Sequence, residues 1–233
     1  MKPLGIKNYG SIGHLPMSRL GPGDHKVPDG QAAICTTKAR DKHDTIIVTE
    51  KLDGSNVGVV RAGGQLLALG RAGYLAQSSK YEQHQLFAAW LRYNEDRFAA
   101  LPEGHRIVGE WLAQAHSTRY DLGGRLPFVA FDVMVGINRL PFEAACDIAD
   151  RCQIPTPAVL SYGPPISIED AMERLGNLGF YGATDTAEGL VYRVERHGKY
   201  DFMAKYVRPD KVDGALLPEQ TGGEAVWNWR PSA

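Results

Sequence analysis

The sequence predicts an α+β fold with largely antiparallel sheets flanked by helices. Two observations carry that prediction. β-Branched runs with period-two alternation recur along most of the chain, and the segments run in the order strands, helix, strands, helix, strands. A third observation concerns size. At 233 residues, with an ordinary hydrophobic share of 43%, the chain suits one sizeable domain, or one domain with a small appendage.

Residues 1–30 are rich in Gly, Pro and polar residues with little periodicity. They read as a loop or clasp laid over the domain, and residues 1–44 are assigned to this leader. A β-meander is predicted from Thr45 to about Gly70, turning at Gly63-Gly64. A helix is predicted from Lys80 to Ala100, with Phe87, Trp90, Leu91 and Phe98 on one side and charged residues opposite. Strands follow at Arg106–Leu112 and Pro127–Val135, then a short helix from Pro141 to Arg151. Another helix begins at Ser167, whose hydroxyl with Asp170 makes a capping-box pattern. Glu188–Glu195 and Phe202–Val207 read as a hairpin around His197-Gly198-Lys199. The main domain is placed at 45–212 and a tail at 213–233, where Trp227 and Trp229 are expected to dock.

The net charge of −1 excludes a histone-like polyelectrolyte binder but leaves room for a local basic groove. Cys35, Cys146 and Cys152 lack metal-ligand spacing, and so sparse and odd a count suits a reducing compartment. With no apolar signal core and no run of membrane-spanning length, the expectation is a soluble, cytoplasmic protein without membrane partners.

The chemistry centres on Glu50-Lys51-Leu52-Asp53-Gly54-Ser55-Asn56. A lysine and a carboxylate stand two residues apart before a glycine, between apolar runs 45–48 and 57–60. At its ordinary pKa only about 1 lysine in 2,500 is neutral at pH 7, so a nucleophilic lysine needs nearby positive charge or desolvation. A surface lysine in a hairpin is the plainer reading of this stretch alone. Further along, Glu110 shares a strand face with Val108 and Leu112, Glu188 with Leu190, Tyr192 and Val194, and Lys205 with Met203 and Val207. Buried charges need partners. One such residue would be a structural ion pair; two carboxylates and two lysines together fit a site for polyanions and Mg²⁺, with Lys205 depressing the pKa of Lys51. Phe131 reads either as core or as a stacking face for a nucleobase, and Arg71 as a loop arginine or a sugar or phosphate contact.

In this order the segments resemble the covalent lysine nucleotidyltransferases, which are RNA ligases, DNA ligases and mRNA capping enzymes. Lys51-Leu52-Asp53-Gly54 resembles the nucleophile motif, Arg71 the arginine that follows it, and Gly109-Glu110-Trp111 the motif whose glutamate contacts the ribose. Phe128-Val129-Ala130-Phe131-Asp132 is similar to the base-stacking motif, Glu188-Gly189-Leu190-Val191 to the one that engages metal, and Met203–Arg208 to the one whose lysine touches the α-phosphate. Asn56, and His116-Ser117 and Tyr120 after Glu110-Trp111, point to the RNA ligase branch, as does the leader segment Gly13–Arg19.

The resemblance implies a nucleotidyltransferase (ATP-grasp-like ligase) domain. Its nucleotide-binding set would be Glu50, Lys51, Asn56, Arg71, Glu110, Phe131, Glu188 and Lys205. Catalysis would fall to Lys51, Asp53 and Lys205, metal binding to Glu188, Glu110 and Asp53, and phosphate or RNA contacts to His14, Arg19 and Arg208. The implied co-substrate is ATP with Mg²⁺ or Mn²⁺, and the implied partners are RNA ends carrying a 5′-phosphate and a 3′-hydroxyl. A partner protein and a monomer both stay open. A DNA ligase, a capping-type guanylyltransferase and a non-catalytic RNA-end-binding module are the alternatives. Two departures from the pattern stand out. Val207 occupies the place of a second lysine, with Arg208 as its possible substitute, and about twenty residues follow the last motif, which leaves no OB-fold.

Overall fold

The computed structural model describes residues 2–231. Ten strands and five helices alternate in the order β1 (Gly13–His14), α1 (Asp29–Thr36), β2 (Asp44–Lys51), β3 (Ser55–Ala62), β4 (Gln65–Gly70), α2 (Glu82–Tyr93), β5 (His105–Trp111), β6 (Phe128–Val135), β7 (Asn138–Arg139), α3 (Phe142–Arg151), β8 (Val159–Gly163), α4 (Ile168–Leu175), β9 (Gly189–Arg196), β10 (Lys199–Val207) and α5 (Pro218–Thr221). They form two five-stranded sheets, ordered β1-β10-β9-β2-β8 and β4-β3-β5-β6-β7. Every pairing is antiparallel except β1 with β10.

Each sheet buries its outer face under helices. Ile46, Val48, Leu190, Tyr192 and Val194 pack with Cys35 of α1 and with Ala171 and Leu175 of α4. Val57, Val59, Ile107, Trp111 and Phe128 pack with Phe87 and Trp90 of α2 and Ile148 of α3. Full burial of each large apolar side chain contributes about 1.5–3 kcal/mol. The two inner faces line a cleft between the sheets.

The predicted meander is corrected by this layout. β3 and β4 do form a hairpin across Gly63-Gly64, but β2 belongs to the other sheet, so residues 52–54 carry the chain from one wall of the cleft to the other. A tight turn and a sheet crossover have the same local signature, since both need only a break flanked by apolar runs. Gly54 is required here by close approach, because a Cβ would lie 2.4 Å from the carbonyl oxygen of Trp111. The predicted helix 80–100 is also interrupted: α2 stops at Tyr93, and a short 3-10 segment covers Glu95–Ala100. Asn94 causes the break by donating its side-chain amide to the carbonyl of Trp90. α4 begins as expected, with Ser167 Oγ accepting from Asp170 N–H.

The N-terminal segment is more structured than a loop. β1 adds to the edge of the first sheet, Leu15 is fully buried, and α1 forms within residues 29–36. Residues 6–8 pass over Gly73, and the backbone N–H groups of Asn8 and Tyr9 donate to the carbonyl of Arg71. Trp227 and Trp229 dock on the second core, and the Trp229 ring meets Trp111 edge-on at 5.7 Å. Among the described residues, no helix is long and apolar enough to cross a membrane.

Gly73 makes the clasp testable. It has φ +87°, and a Cβ would lie 2.1 Å from the carbonyl oxygen of Ile6. Gly73→Ala is expected to cost about 2 kcal/mol and to loosen the N-terminal segment. The check is a lower unfolding temperature together with faster proteolytic cleavage before residue 28.

Candidate active site

Lys51 ends β2 at the point where the chain leaves the first sheet, opposite Gly189 and beside Glu188. Its Nζ donates to Glu188 Oε2 at 2.5 Å. Glu110 approaches from the other sheet, with Oε1 accepting from Gly54 N–H at 3.1 Å. Asp53 is fixed in the crossover: Oδ2 accepts from Ser117 N–H at 2.9 Å, and its own N–H donates to Tyr120 Oη at 3.0 Å. Three carboxylates thus surround one half-buried ammonium.

Burial pushes the Lys51 pKa down, but the charges of Glu188, Glu110 and Asp53 outweigh it and hold the group above its ordinary value. This corrects the expectation that Lys205 would depress it: Lys205 lines the same cleft, yet three carboxylates lie about Lys51. The carboxylates show the reciprocal strain. Burial raises Glu110 to about 8 and Glu188 to about 7, with Lys51 opposing in both cases. Lys205 itself is lowered, first by burial and then by the charge of Lys51.

The cleft has a volume of about 540 Å³, within the range of a small-molecule site. Lys51, Asp53, Asn56, Arg71, Glu110, Phe131, Glu188 and Lys205 all border it. Phe131 reaches it through a bulge. Val108 pairs with Asp132 and Gly109 with Ala130, so Phe131 is the extra residue and lines the cleft together with its neighbour Asp132. The Phe131 ring is braced edge-on by Tyr9 at 5.2 Å.

Several expectations are corrected. Glu188 does not share a face with Leu190, Tyr192 and Val194, which point into the outer core. It precedes β9, where strand alternation no longer applies, and turns to Lys51 in the cleft. Glu50 also borders the cleft, but it lies on the face of β2 opposite Lys51 and its carboxylate accepts from Phe180 N–H at 3.0 Å. Arg208 pairs with Asp210 and does not border the cleft. Among the described residues, no three His, Cys, Asp or Glu side chains converge as a ready metal cage, because Glu110, Glu188 and Asp53 are spread around Lys51.

Three contributors escaped the sequence reading. Lys211 is buried, donates to the carbonyls of Ser117 and Thr186, and stands 3.7 Å from Asp53 Oδ2. Asn228 accepts from Tyr120 N–H and so supports the residue that holds Asp53. Arg193 donates to Asp132 Oδ1 at 3.2 Å and to Glu195 Oε1 at 2.7 Å, tying β9 to β6 across the cleft floor. Short contacts of Arg139 with Asp132 and of Arg193 with the Leu140 carbonyl complete that brace.

The RNA ligase family model matches residues 44–207, well over half of the chain. The chain belongs to the RNA ligase family. No curated protein matches it in sequence. Among solved structures, this family member is similar in fold to the Naegleria gruberi RNA ligase with PPi, at 17% identity, TM-score 0.56, and coverage of 93% of this chain and 62% of that one. A lysine-to-alanine mutant of the same ligase with ATP and Mn matches at 17% identity, TM-score 0.54, and coverage of 89% and 61%. A putative ATP-dependent DNA ligase from Aquifex aeolicus matches at 15% identity, TM-score 0.52, and coverage of 85% and 49%. The chain therefore spans less than two thirds of the length of each of these structures.

The ammonium of Lys51 is expected to titrate at lower pH once Glu188 is neutralised, because burial and Lys205 then act against fewer opposing charges. The measurement is the pH dependence of Lys51 labelling by an amine-reactive reagent, read by peptide mass. Glu188→Gln should shift the labelling midpoint downward. An unchanged midpoint would disprove the electrostatic account.

Proposed function

We propose that this protein is an ATP-dependent RNA ligase that works through a lysyl-AMP intermediate. The observation that carries the proposal is the placement of Lys51 in a cleft shared by both sheets, ringed by Glu110, Glu188 and Asp53, with Lys205 and Phe131 on its walls. Family membership supplies the reaction class, and the similar folds solved with ATP and Mn or with PPi support a nucleotide in this cleft.

In the first step the neutral Lys51 amine attacks the α-phosphorus of ATP. A P–N bond forms, the bond from the α-phosphorus to its bridging oxygen breaks with its electrons leaving on pyrophosphate, and the amine proton passes to solvent. A 5′-phosphate oxygen of RNA then attacks the same phosphorus, breaking the P–N bond and returning a protonated Lys51. A 3′-hydroxyl finally attacks the activated 5′-phosphate, loses its proton and expels AMP. Such transfers depend on positioning and charge neutralisation. Phe131 offers the base a stacking face, Lys205 takes phosphate charge, and Asp53, held by Ser117 and Tyr120, orients Lys51. The donor set fits a hard divalent cation, since the buried carboxylates Glu110 and Glu188 both carry raised pKa values that a cation would relieve. Glu188, with Glu110 or Asp53, would hold Mg²⁺ or Mn²⁺, which supplies neutralisation of phosphate charge.

The test is intact mass after incubation with ATP and Mg²⁺. One AMP is expected on Lys51, absent in Lys51→Ala and at least about 100-fold slower in Glu188→Ala. An adduct on Lys51→Ala would refute the assignment. For substrate class, joining of a pre-adenylylated donor to matched acceptors should favour a 3′-terminal ribonucleotide, whose 2′-hydroxyl marks RNA locally. Equal joining to all-DNA acceptors would move the protein to the DNA ligase reading.

A further inference from the structure

The nucleotide reading leaves the polar side chains of the N-terminal segment unexplained. Leu15 and Tyr9 anchor that segment, and Ser18 Oγ, which accepts from Val207 N–H, helps to hold it. Yet His14, Arg19 and Asp24 all border the cleft as well. Parallel pairing of β1 with β10 sets His14 directly opposite Lys205. Asp24 Oδ1 lies 3.7 Å from Lys205 Nζ, and Asp24 Oδ2 lies 3.0 Å from His14 Nε2.

These contacts leave binding capacity unused. His14 is 1% exposed and its Nδ1 is 2.7 Å from Ser18 Oγ, but Asp24 lies off the N–H line, so Nε2 is buried without a hydrogen bond. Arg19 donates to the Lys211 carbonyl and is 3.6 Å from Asp213, with about a third of its side chain open (30%). Arg71 borders the same cleft and its charge is felt at Lys205. Cations from three separate segments therefore face the carboxylates of Asp24 and Asp213 at this end of the cleft, whereas carboxylates outnumber Lys51 at the other.

We propose that Arg19 and His14, beside Lys205, form the subsite for the β- and γ-phosphates of the nucleotide, and hence for the pyrophosphate that leaves. Asp24 is the counter-charge that the polyphosphate displaces. In-line displacement puts the leaving group on the far side of the α-phosphorus from Lys51. Cations that surround it there stabilise charge as the bridging oxygen departs. His14 Nε2 is closed to solvent with Asp24 against it, so an anion reaches it by displacing Asp24, which suits a compact polyphosphate better than an RNA strand. The inference rests on the ATP reading above.

The probe is inorganic pyrophosphate with Mg²⁺. Binding is measured by calorimetry on the uncharged protein, and reversal is measured as pyrophosphate-dependent loss of AMP from the charged protein. Arg19→Ala should weaken pyrophosphate about tenfold in both assays, with Arg19→Lys recovering part of the loss. Asp24→Asn should tighten it, since the competing carboxylate is gone. A purely structural segment would make both substitutions weaken binding, alongside faster proteolysis before residue 28, and that pattern overturns the proposal. Transfer of AMP from charged protein to an RNA 5′-phosphate should fall less in Arg19→Ala than its affinity for pyrophosphate does. Normal pyrophosphate behaviour with impaired transfer would assign the subsite to RNA and overturn the proposal too. Failure of the wild-type protein to take AMP would count against the ligase reading, while calorimetry would still decide the subsite.

Discussion

Holding the half-buried Lys51 ammonium among carboxylates is the constraint around which the rest of this molecule is arranged. A charge withdrawn from water costs several kcal/mol unless it is paired and hydrogen-bonded. Here the pairing is drawn from both sheets and from the crossover between them, through Glu188, Glu110 and Asp53. That overcompensates one positive charge and leaves carboxylates whose own ionisation is opposed by burial, as the raised pKa values of Glu110 and Glu188 record. The parts that look incidental in sequence serve this cluster. Gly54 lets the crossover approach Trp111, Tyr120 and Ser117 hold Asp53, and the tail holds Tyr120 through Asn228.

The cluster keeps its geometry only if the two sheets keep theirs. A second buried charge group ties the sheets together across the cleft floor. Asp132 on β6 accepts from Tyr9, Arg139 and Arg193, and Arg193 on β9 also donates to Glu195. Breaking such a group from one side leaves an unpaired buried charge, at a cost of about 3–5 kcal/mol. The brace also explains why Phe131 stands where it does. The bulge that frees its ring to face the cleft is the same one that aims Asp132 at the arginines.

Much of this was legible in the sequence because it is local. Strand alternation located Glu110 and Lys205 on cleft-facing positions, turn residues located the hairpins, and Ser167 announced α4. What was not legible depends on distance. The stretch around Lys51 reads equally well as a hairpin and as a crossover between sheets, and only the partners of β2 and β3 decide. Glu188 was placed on the wrong face because alternation was carried one residue beyond the strand. Asp132 looked like a lone polar residue in an apolar strand, since Arg193 lies 61 positions away. Nothing local in the sequence singles out Lys211, because Asp53 and Thr118 reach it only in the folded chain.

Charge is distributed unevenly along the cleft, and this bears on how the proposed chemistry would be controlled. With Lys51 held above its ordinary pKa, the resting protein presents an ammonium, which is not a nucleophile. Positive charge brought to Glu188 and Glu110 would satisfy the carboxylates and remove what holds the proton on Lys51; burial and Lys205 then favour the neutral amine. At the other end Asp24 engages Lys205 until a stronger anion arrives. Each half of the site thus carries an excess of one sign, and one ligand bearing both a polyphosphate and its cation relieves both halves together. Anions or cations arriving alone relieve only one. On this argument the activation of Lys51 is coupled to the arrival of the complete substrate, and the coupling arises from the placement of charges already present in the fold.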